Sequence, residues 1–315
     1  MRRWRAGIAL LGLLLPALCG SAEATARLRL VSWNAEWLAD PTLLAQARYW
    51  TECVQAPHAA VPMPPCDAYS RHNIADAAAY AQHKLAPLRS TLASLADEGM
   101  DVLALQEVQN AAAVQAVLPP GYRLACITQG RTAQNLAFVV REAARLAPTC
   151  REIASLGLED DTVPHALRRG LELTVQAGGR AVVLLNLHLK AGCAFGAIDA
   201  GSPRACQTWQ QQRQALQAWI EGQAMRGSAF AIVGDWNRKP DARTPWRGID
   251  FVRVDRRGAR HRCHRDLDQL ALSAPLRSRL AGYTLPASGQ AGARLLPAHT
   301  GASDHCPLRA DLSLR

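Results

Sequence analysis

Along this chain, short runs of Val, Leu and Ile alternate with longer stretches in which apolar residues recur at helical spacing. Short apolar runs bounded by polar or Gly/Pro punctuation read as buried strands. They predict strands at 27–33, 102–105, 136–140, 171–175, 181–187, 230–233, 268–272 and 307–312. Helical periodicity predicts helices over 74–96 and 207–225, the second carrying Trp209, Leu216, Trp219 and Ile220 on a Gln-rich background. Strands interleaved with helices predict an α/β layered fold. The stretch 40–73 breaks the pattern, because Pro57, Pro62, Pro64 and Pro65 fall between Cys53 and Cys66. It reads as a disulfide-closed loop rather than a domain.

Composition narrows the class. The chain has 315 residues, 49% hydrophobic and 20% charged, the balance of a compact soluble protein. With no Gly/Ser linker and no internal repeat, 25–315 reads as one catalytic domain. Met1-Arg2-Arg3-Trp4-Arg5 precedes an uncharged apolar stretch, and Ala22-Glu23-Ala24 offers a small-x-small cleavage site, so 1–24 reads as a signal peptide. The expected location is secreted or periplasmic. The apolar stretch is short for a membrane span, and no later segment is long enough.

Charge and cysteines then shift the list of partners. The formal charge is +10, and cleavage after Ala24 removes three arginines and one glutamate to leave +8. A basic exported protein favours anionic partners such as nucleic acid or phospholipid surfaces. Loss of Cys19 from nine cysteines leaves eight, and an even count in an exported chain predicts disulfides. Neighbouring positions suggest Cys53–Cys66, Cys126–Cys150, Cys193–Cys206 and Cys263–Cys306. Zinc is the weaker reading, since no CxxC spacing occurs. The Arg-rich stretch 241–265 reads equally as a solvated loop or as a phosphate-tracking surface.

The chemistry lies where the buried runs end. The first run ends in Asn34 and Glu36, the second in Gln106-Glu107, the run at 181–187 in His188-Leu189-Lys190, and the run at 230–233 in Gly234-Asp235-Trp236-Asn237. Ligands of open α/β sheets bind beyond the carboxyl ends of the strands, so these acids, amides and imidazole imply one site there. Oxygen ligands around a few carboxylates suit a hard divalent cation, Mg²⁺, or else Mn²⁺ or Ca²⁺, and with imidazole and amides they suit phosphoryl chemistry.

These segments resemble a known family. Trp33-Asn34-Ala35-Glu36-Trp37, Leu105-Gln106-Glu107-Val108, Asn186-Leu187-His188-Leu189-Lys190, Gly234-Asp235-Trp236-Asn237, Asp268-Gln269-Leu270-Ala271-Leu272 and Ser303-Asp304-His305-Cys306-Pro307 are similar, in order, to the motifs of the endonuclease/exonuclease/phosphatase superfamily. That group includes pancreatic-type DNase I, exonuclease III-like enzymes, neutral sphingomyelinases and inositol polyphosphate 5-phosphatases. The resemblance covers about 27–314. It implies a four-layer α/β/β/α sandwich, two mixed sheets packed face to face with helices outside, that hydrolyses phosphoesters with Mg²⁺.

The resemblance also implies roles. Glu107 is the principal metal ligand, with Asn34 beside it on metal, metal-bound water or phosphate, and Asp304 joins the metal set. Asp235 and Asn237 orient the attacking water and the scissile phosphate. His305 is the general base, kept basic by Asp268, and His188 stabilises the phosphate or assists the leaving group. Arg169 is placed like an arginine that contacts substrate phosphate, with Arg168 competing for that part. Glu36 reads as a supporting residue, and Lys190 as a phosphate binder or a strand cap. Asp250 mimics the Asp268 pattern less well, Gln134 and Asn135 stand where many relatives carry Tyr or Glu, and His58, His72, His83, His165 and His299 read as surface or structural.

The expected function is an exported metal-dependent phosphodiesterase, a nuclease acting on DNA or RNA as a monomer with no stable protein partner. A secreted sphingomyelinase-like phospholipase is the alternative, though aromatics make up only 5% of the chain and no Trp/Phe-rich loop stands out. A catalytically silent binding protein of the same fold is a third reading, opposed by the complete motif set. The Trp-Cys-Asp-Arg segment of inositol phosphatases is absent, with Arg265-Asp266-Leu267-Asp268 near its place.

Overall fold

A computed structural model describes residues 26–55, 64–129, 134–158, 167–199, 201–240, 245–255, 267–280, 293–299 and 301–314. The expected signal peptide lies outside these residues. Thirteen strands are described: β1 (Ala26–Leu38), β2 (Val102–Val108), β3 (Tyr122–Ile127), β4 (Asn135–Arg141), β5 (Thr149–Ile153), β6 (Gly170–Ala177), β7 (Arg180–His188), β8 (Phe230–Asp235), β9 (Ile249–Phe251), β10 (Val254–Asp255), β11 (Asp268–Ser273), β12 (Ala293–Leu295) and β13 (Leu308–Leu314). They form a seven-stranded sheet, β10-β12-β13-β1-β2-β4-β3, and a six-stranded sheet, β5-β6-β7-β8-β11-β9. Both are mixed: β1 runs parallel to β2 and antiparallel to β13, while β7 runs parallel to β8 and antiparallel to β6.

Three apolar cores separate four layers. Leu28, Leu30, Ala104 and Phe138 of the first sheet meet Leu171, Leu173, Leu184, Ala231 and Leu270 of the second. Alternation along β1 sends Val31 and Trp33 to the opposite face, where Tyr80, Leu88 and Leu92 cover them. Leu185, Leu187 and Ile232 of the second sheet pack against Trp209, Leu216 and Ile220 of the helix Arg204–Met225. This is the expected sandwich of two facing sheets with helices outside.

The eight expected strands occur, each lengthened by one or more residues. The expected helix at 74–96 is a continuous helical run from Ala77 to Asp97 with a π turn at Ala81–Leu85. The stretch 40–73 departs from expectation. Its described residues form helical segments at Pro41–Leu44, Ala47–Gln55 and Pro64–His72, the last two tied by the expected Cys53–Cys66 disulfide. Within 241–265, the residues 249–251 and 254–255 form edge strands, so that part is not an irregular loop; its arginine-dense part lies outside the described residues.

Cys126–Cys150 and Cys193–Cys206 are disulfides as expected. Cys306 is also disulfide-bonded, while Cys263 lies outside the described residues. No helix of the described residues is long and apolar enough to cross a membrane.

Candidate active site

Strand register places the polar residues. In the second sheet His188, Asp235 and Asp268 lie in one row across β7, β8 and β11. In the first sheet Asn34 of β1 faces Gln106 of β2, next to Glu107. Beyond these positions both strands slip register, β1 between Asn34 and Leu38 and β2 between Leu105 and Val108. Such bulges re-aim side chains and end pairing at active sites. Glu36, Trp37, Glu107 and Asn237 all adopt left-handed backbone, with φ of 49°, 56°, 58° and 50°. This conformation is uncommon for residues with a Cβ, and its clustering marks a site whose surroundings over-determine it.

One amide joins the sheets. The Glu36 N–H donates to Asn34 Oδ1 at 2.9 Å, which turns Asn34 Nδ2 toward the carboxylates. That nitrogen donates to Glu107 Oε1 at 3.0 Å and to Asp235 Oδ2 at 3.2 Å. As placed, Asn34 turns its amide N–H groups to the two carboxylates and its oxygen to the Glu36 N–H. The Trp37 N–H holds Glu107 Oε2 at 3.2 Å, and the Asn237 N–H holds Asp235 Oδ1 at 2.8 Å. Asn237 Nδ2 donates to the Leu189 carbonyl at 3.0 Å, tying the loops after β7 and β8. Behind them, Gln106 Nε2 donates to Asn186 Oδ1 at 2.8 Å, a fully buried amide pair between the sheets.

The imidazoles differ in environment. His305 Nδ1 lies 2.7 Å from Asp268 Oδ2, while its Nε2 stands 3.8 Å from Asp235 Oδ2 and 3.9 Å from Asp304 Oδ1. Burial alone would depress its pKa, but the Asp268 charge and hydrogen bond, then Asp235 and Asp304, push it up to about 10. Ser303 braces this segment, donating to the Asn34 carbonyl and accepting from the His305 N–H. His188 Nε2 faces Asp235 Oδ2 at 3.5 Å and Glu107 Oε1 at 3.7 Å. Burial, reinforced by Arg168, His305 and Lys190, holds its pKa well below the ordinary value and keeps the ring neutral.

The donor set suits a hard cation. Burial raises the pKa of Glu107 and of Asp235 despite their hydrogen bonds from Asn34 and the backbone, so a cation beside them would stabilise their charged forms. Asp304, with 28% of its side chain exposed, stands at the edge beside His305. Among the described residues, no group of three or more His, Cys, Asp or Glu side chains closes into a metal cage. An open site with one or two carboxylates is how Mg²⁺ is ordinarily held, the rest of its shell being water and substrate oxygen.

Several placements were not legible in sequence. Arg168 Nε and Nη2 donate to the His188 and Leu189 carbonyls at 3.1 and 2.6 Å, and its charge acts on Glu107 and Asp235. Arg169 turns the other way and pairs with Glu152 at 3.3 Å. Glu36 accepts from Lys84 Nζ at 3.0 Å and from the Asp304 N–H at 3.2 Å, and it bonds His72 Nε2 at 2.8 Å. His72 lies at the surface as expected, and its ring also holds Glu36. Arg71, its neighbour, stands 3.6 Å from Asp304 Oδ2. Asp250, in contrast, pairs with Arg277 at 2.6 Å at the surface. Lys190 Nζ donates to the Ala191 carbonyl at 3.1 Å, and Asn135 joins Thr128 and the Gln109 carbonyl.

A two-sheet sandwich with carboxylates, amides and an Asp–His pair at one end defines a phosphoryl-transfer hydrolase. The model of the Endonuclease/Exonuclease/phosphatase family matches residues 31–305, and the chain belongs to that family of phosphoric diester hydrolases. No curated protein sequence matches the chain significantly. Among solved structures, a Danio (D. rerio) TDP2 humanized by 14 mutations is 16% identical with a TM-score of 0.52, covering 91% of this chain and 99% of its own. The D. rerio TDP2 complexed with single strand DNA product is 16% identical with a TM-score of 0.51, covering 90% and 98%. A Bacteroides thetaiotaomicron endonuclease/exonuclease/phosphatase family protein is 12% identical with a TM-score of 0.52, covering 92% and 99%. At these identities the likeness speaks for the fold.

Proposed function

We propose that this chain is an exported, divalent-metal-dependent nuclease that cleaves phosphodiester bonds of DNA or RNA by in-line attack of water. The observation that carries this reading is the cross-sheet constellation: Asn34 bridges Glu107 and Asp235, with the His305–Asp268 pair 3.8 Å from Asp235. Glu107 and Asp304 would hold Mg²⁺, with Mn²⁺ or Ca²⁺ as substitutes, and a cation there supplies charge neutralisation at a nonbridging phosphate oxygen. Asp235, held through both oxygens, orients the attacking water. His305, fixed by Asp268 through Nδ1, exchanges the proton at Nε2. Neutral His188 donates to the phosphate or the leaving oxygen.

Of the two arginines, Arg168 has the better claim to the phosphate, because its guanidinium already acts on Glu107 and Asp235. The charge of +8 left after cleavage and a fold relative solved with single strand DNA product support a nucleic-acid substrate. The signal-like N-terminus and the disulfides support export. The test is hydrolysis of plasmid DNA, RNA and sphingomyelin by the oxidised chain 25–315, with Mg²⁺ or EDTA, beside His305→Ala. Nucleic-acid cleavage abolished by EDTA and by the substitution is expected; cleavage of sphingomyelin alone overturns the reading in favour of a phospholipase.

A further inference from the structure

Among the described residues two large apolar side chains are exposed: Met225, 85% exposed at the end of its helix, and Phe195, 78% exposed. Phe195 lies on the segment that leaves the carboxyl end of β7 after His188. The backbone on both sides of it is clamped. Cys193, two residues before, is bridged to Cys206 at the start of the next helix. Arg238 Nη1 donates to the Cys193 carbonyl at 3.0 Å, and its Nη2 donates to the Gly196 carbonyl. The Lys239 N–H donates to the Ala194 carbonyl at 3.1 Å. Arg238 is itself buried, with its guanidinium 5.1 Å from the centre of the Trp209 ring.

The clamp thus comes from the two residues that follow Asn237 in the site. An aromatic ring in water on a mobile loop needs no explanation, because such side chains are common singly. A ring held outward by three backbone hydrogen bonds and a disulfide has lost its freedom to find the core. Ordering an exposed aromatic in advance favours a ligand that uses it.

We propose that Phe195 is a stacking platform for an unpaired base of the nucleic-acid strand being cleaved. The inference rests on the nuclease reading above. Three observations favour a base as occupant. The frame of the ring is continuous with Asn237, so a strand whose phosphate lies at the site passes nearby. The chain is strongly basic. Every base presents a π-face, and aromatic platforms beside basic grooves bind single strands without reading sequence. A lipid surface is less suited, because interfacial insertion needs a cluster of apolar side chains. Among the described residues, Phe195 is the sole exposed large hydrophobic on this loop.

The test compares the oxidised protein with Phe195→Ala, Phe195→Trp and Met225→Ala on a single-stranded oligonucleotide and on an abasic strand of equal length. Stacking is worth about 5- to 150-fold per base. The expected result is that Phe195→Ala lowers the ratio of kcat/KM on base-bearing to abasic strand about tenfold, mainly through KM. Phe195→Trp restores the ratio and Met225→Ala leaves it alone. Thermal melting of Phe195→Ala at the wild-type temperature excludes misfolding. An unchanged ratio in an enzyme that cleaves DNA overturns the platform and leaves the nuclease reading intact. Wild-type protein that cleaves no nucleic acid overturns both, and loss of sphingomyelin-vesicle binding in Phe195→Ala replaces the base with a lipid.

Discussion

Lys84 Nζ donates to Glu36 Oε2 at 3.0 Å, and both side chains are 5% exposed or less. The pair connects the helical layer to the segment that carries Asn34, and Glu36 passes the connection on to the Asp304 backbone. Burial depresses the Lys84 pKa, while the Glu36 charge opposes that shift. Removing Lys84 leaves the Glu36 carboxylate buried with only His72 and the Asp304 N–H as partners, which costs up to about 3–5 kcal/mol. Lys84→Met is therefore expected to destabilise the protein by that amount in denaturant titration. Adding Glu36→Gln should recover part of it. A loss in the double variant equal to the sum of the two single losses would show that the pair is not coupled.

The Asp268–His305 contact yields a catalytic expectation. Asp268→Asn keeps the size of the side chain but removes the charge that orients and favours the imidazolium. With general acid–base catalysis worth about 10²–10⁴-fold, kcat on the best substrate should fall at least about 10²-fold. KM should change far less, since Asp268 is buried behind His305. A loss confined to KM would assign Asp268 to substrate binding instead.

Gly234 precedes Asp235 with a φ of +131°, and a Cβ there would lie 2.0 Å from the Leu187 carbonyl oxygen. The clash is with backbone of the adjacent strand, which has no side chain to move aside. Gly234→Ala is expected to cost more than about 3 kcal/mol and to abolish cleavage by displacing Asp235. A wild-type melting temperature for this variant would contradict the geometry.

Acid should weaken the join between β1 and β13. Asp311 accepts from Arg27 Nη2 at 2.6 Å and from Arg309 Nε at 3.0 Å. Burial raises its pKa, but the Arg309 hydrogen bond and charge, then Arg27, outweigh it and hold the carboxyl below its ordinary value. A depressed carboxyl contributes stability that is complete above its unfolded pKa and disappears as pH falls through the folded one. The stability difference between wild type and Asp311→Asn should therefore be present at about pH 6 and shrink below about pH 4. A difference independent of pH in urea titrations would place the effect elsewhere. The pair is partly exposed, so added salt should reduce it.

The clearest central strands were legible because they are short apolar runs buried on both faces, as at Val102–Leu105 of β2 or Phe230–Val233 of β8. The edge strands β3, β5, β9 and β10, and the three-residue β12 beside β10, were not: Thr149-Cys150-Arg151 carries no such run, and these strands pair only with a sheet already assembled. Lys84 carries a signal in the sequence. It sits at four-residue spacing between Tyr80 and Leu88 on a buried helical stripe, where a charge implies a partner.

What the sequence determined by itself was the layered α/β architecture, the order of the motifs and the identity of the polar residues ending each central strand. Periodicity and punctuation are local properties and survive without a partner segment. Tertiary structure alone decided which atoms face each other. Arg168 and Arg169 are adjacent in the chain, yet alternation at the entry to β6 sends one to the His188 carbonyl and the other to Glu152. Asn34 became a donor because the Glu36 N–H occupied its oxygen, and Phe195 became a fixed exposed ring because Arg238 closed on its loop. Those outcomes depend on residues far apart in sequence and close in space, and no pattern along the chain encodes them.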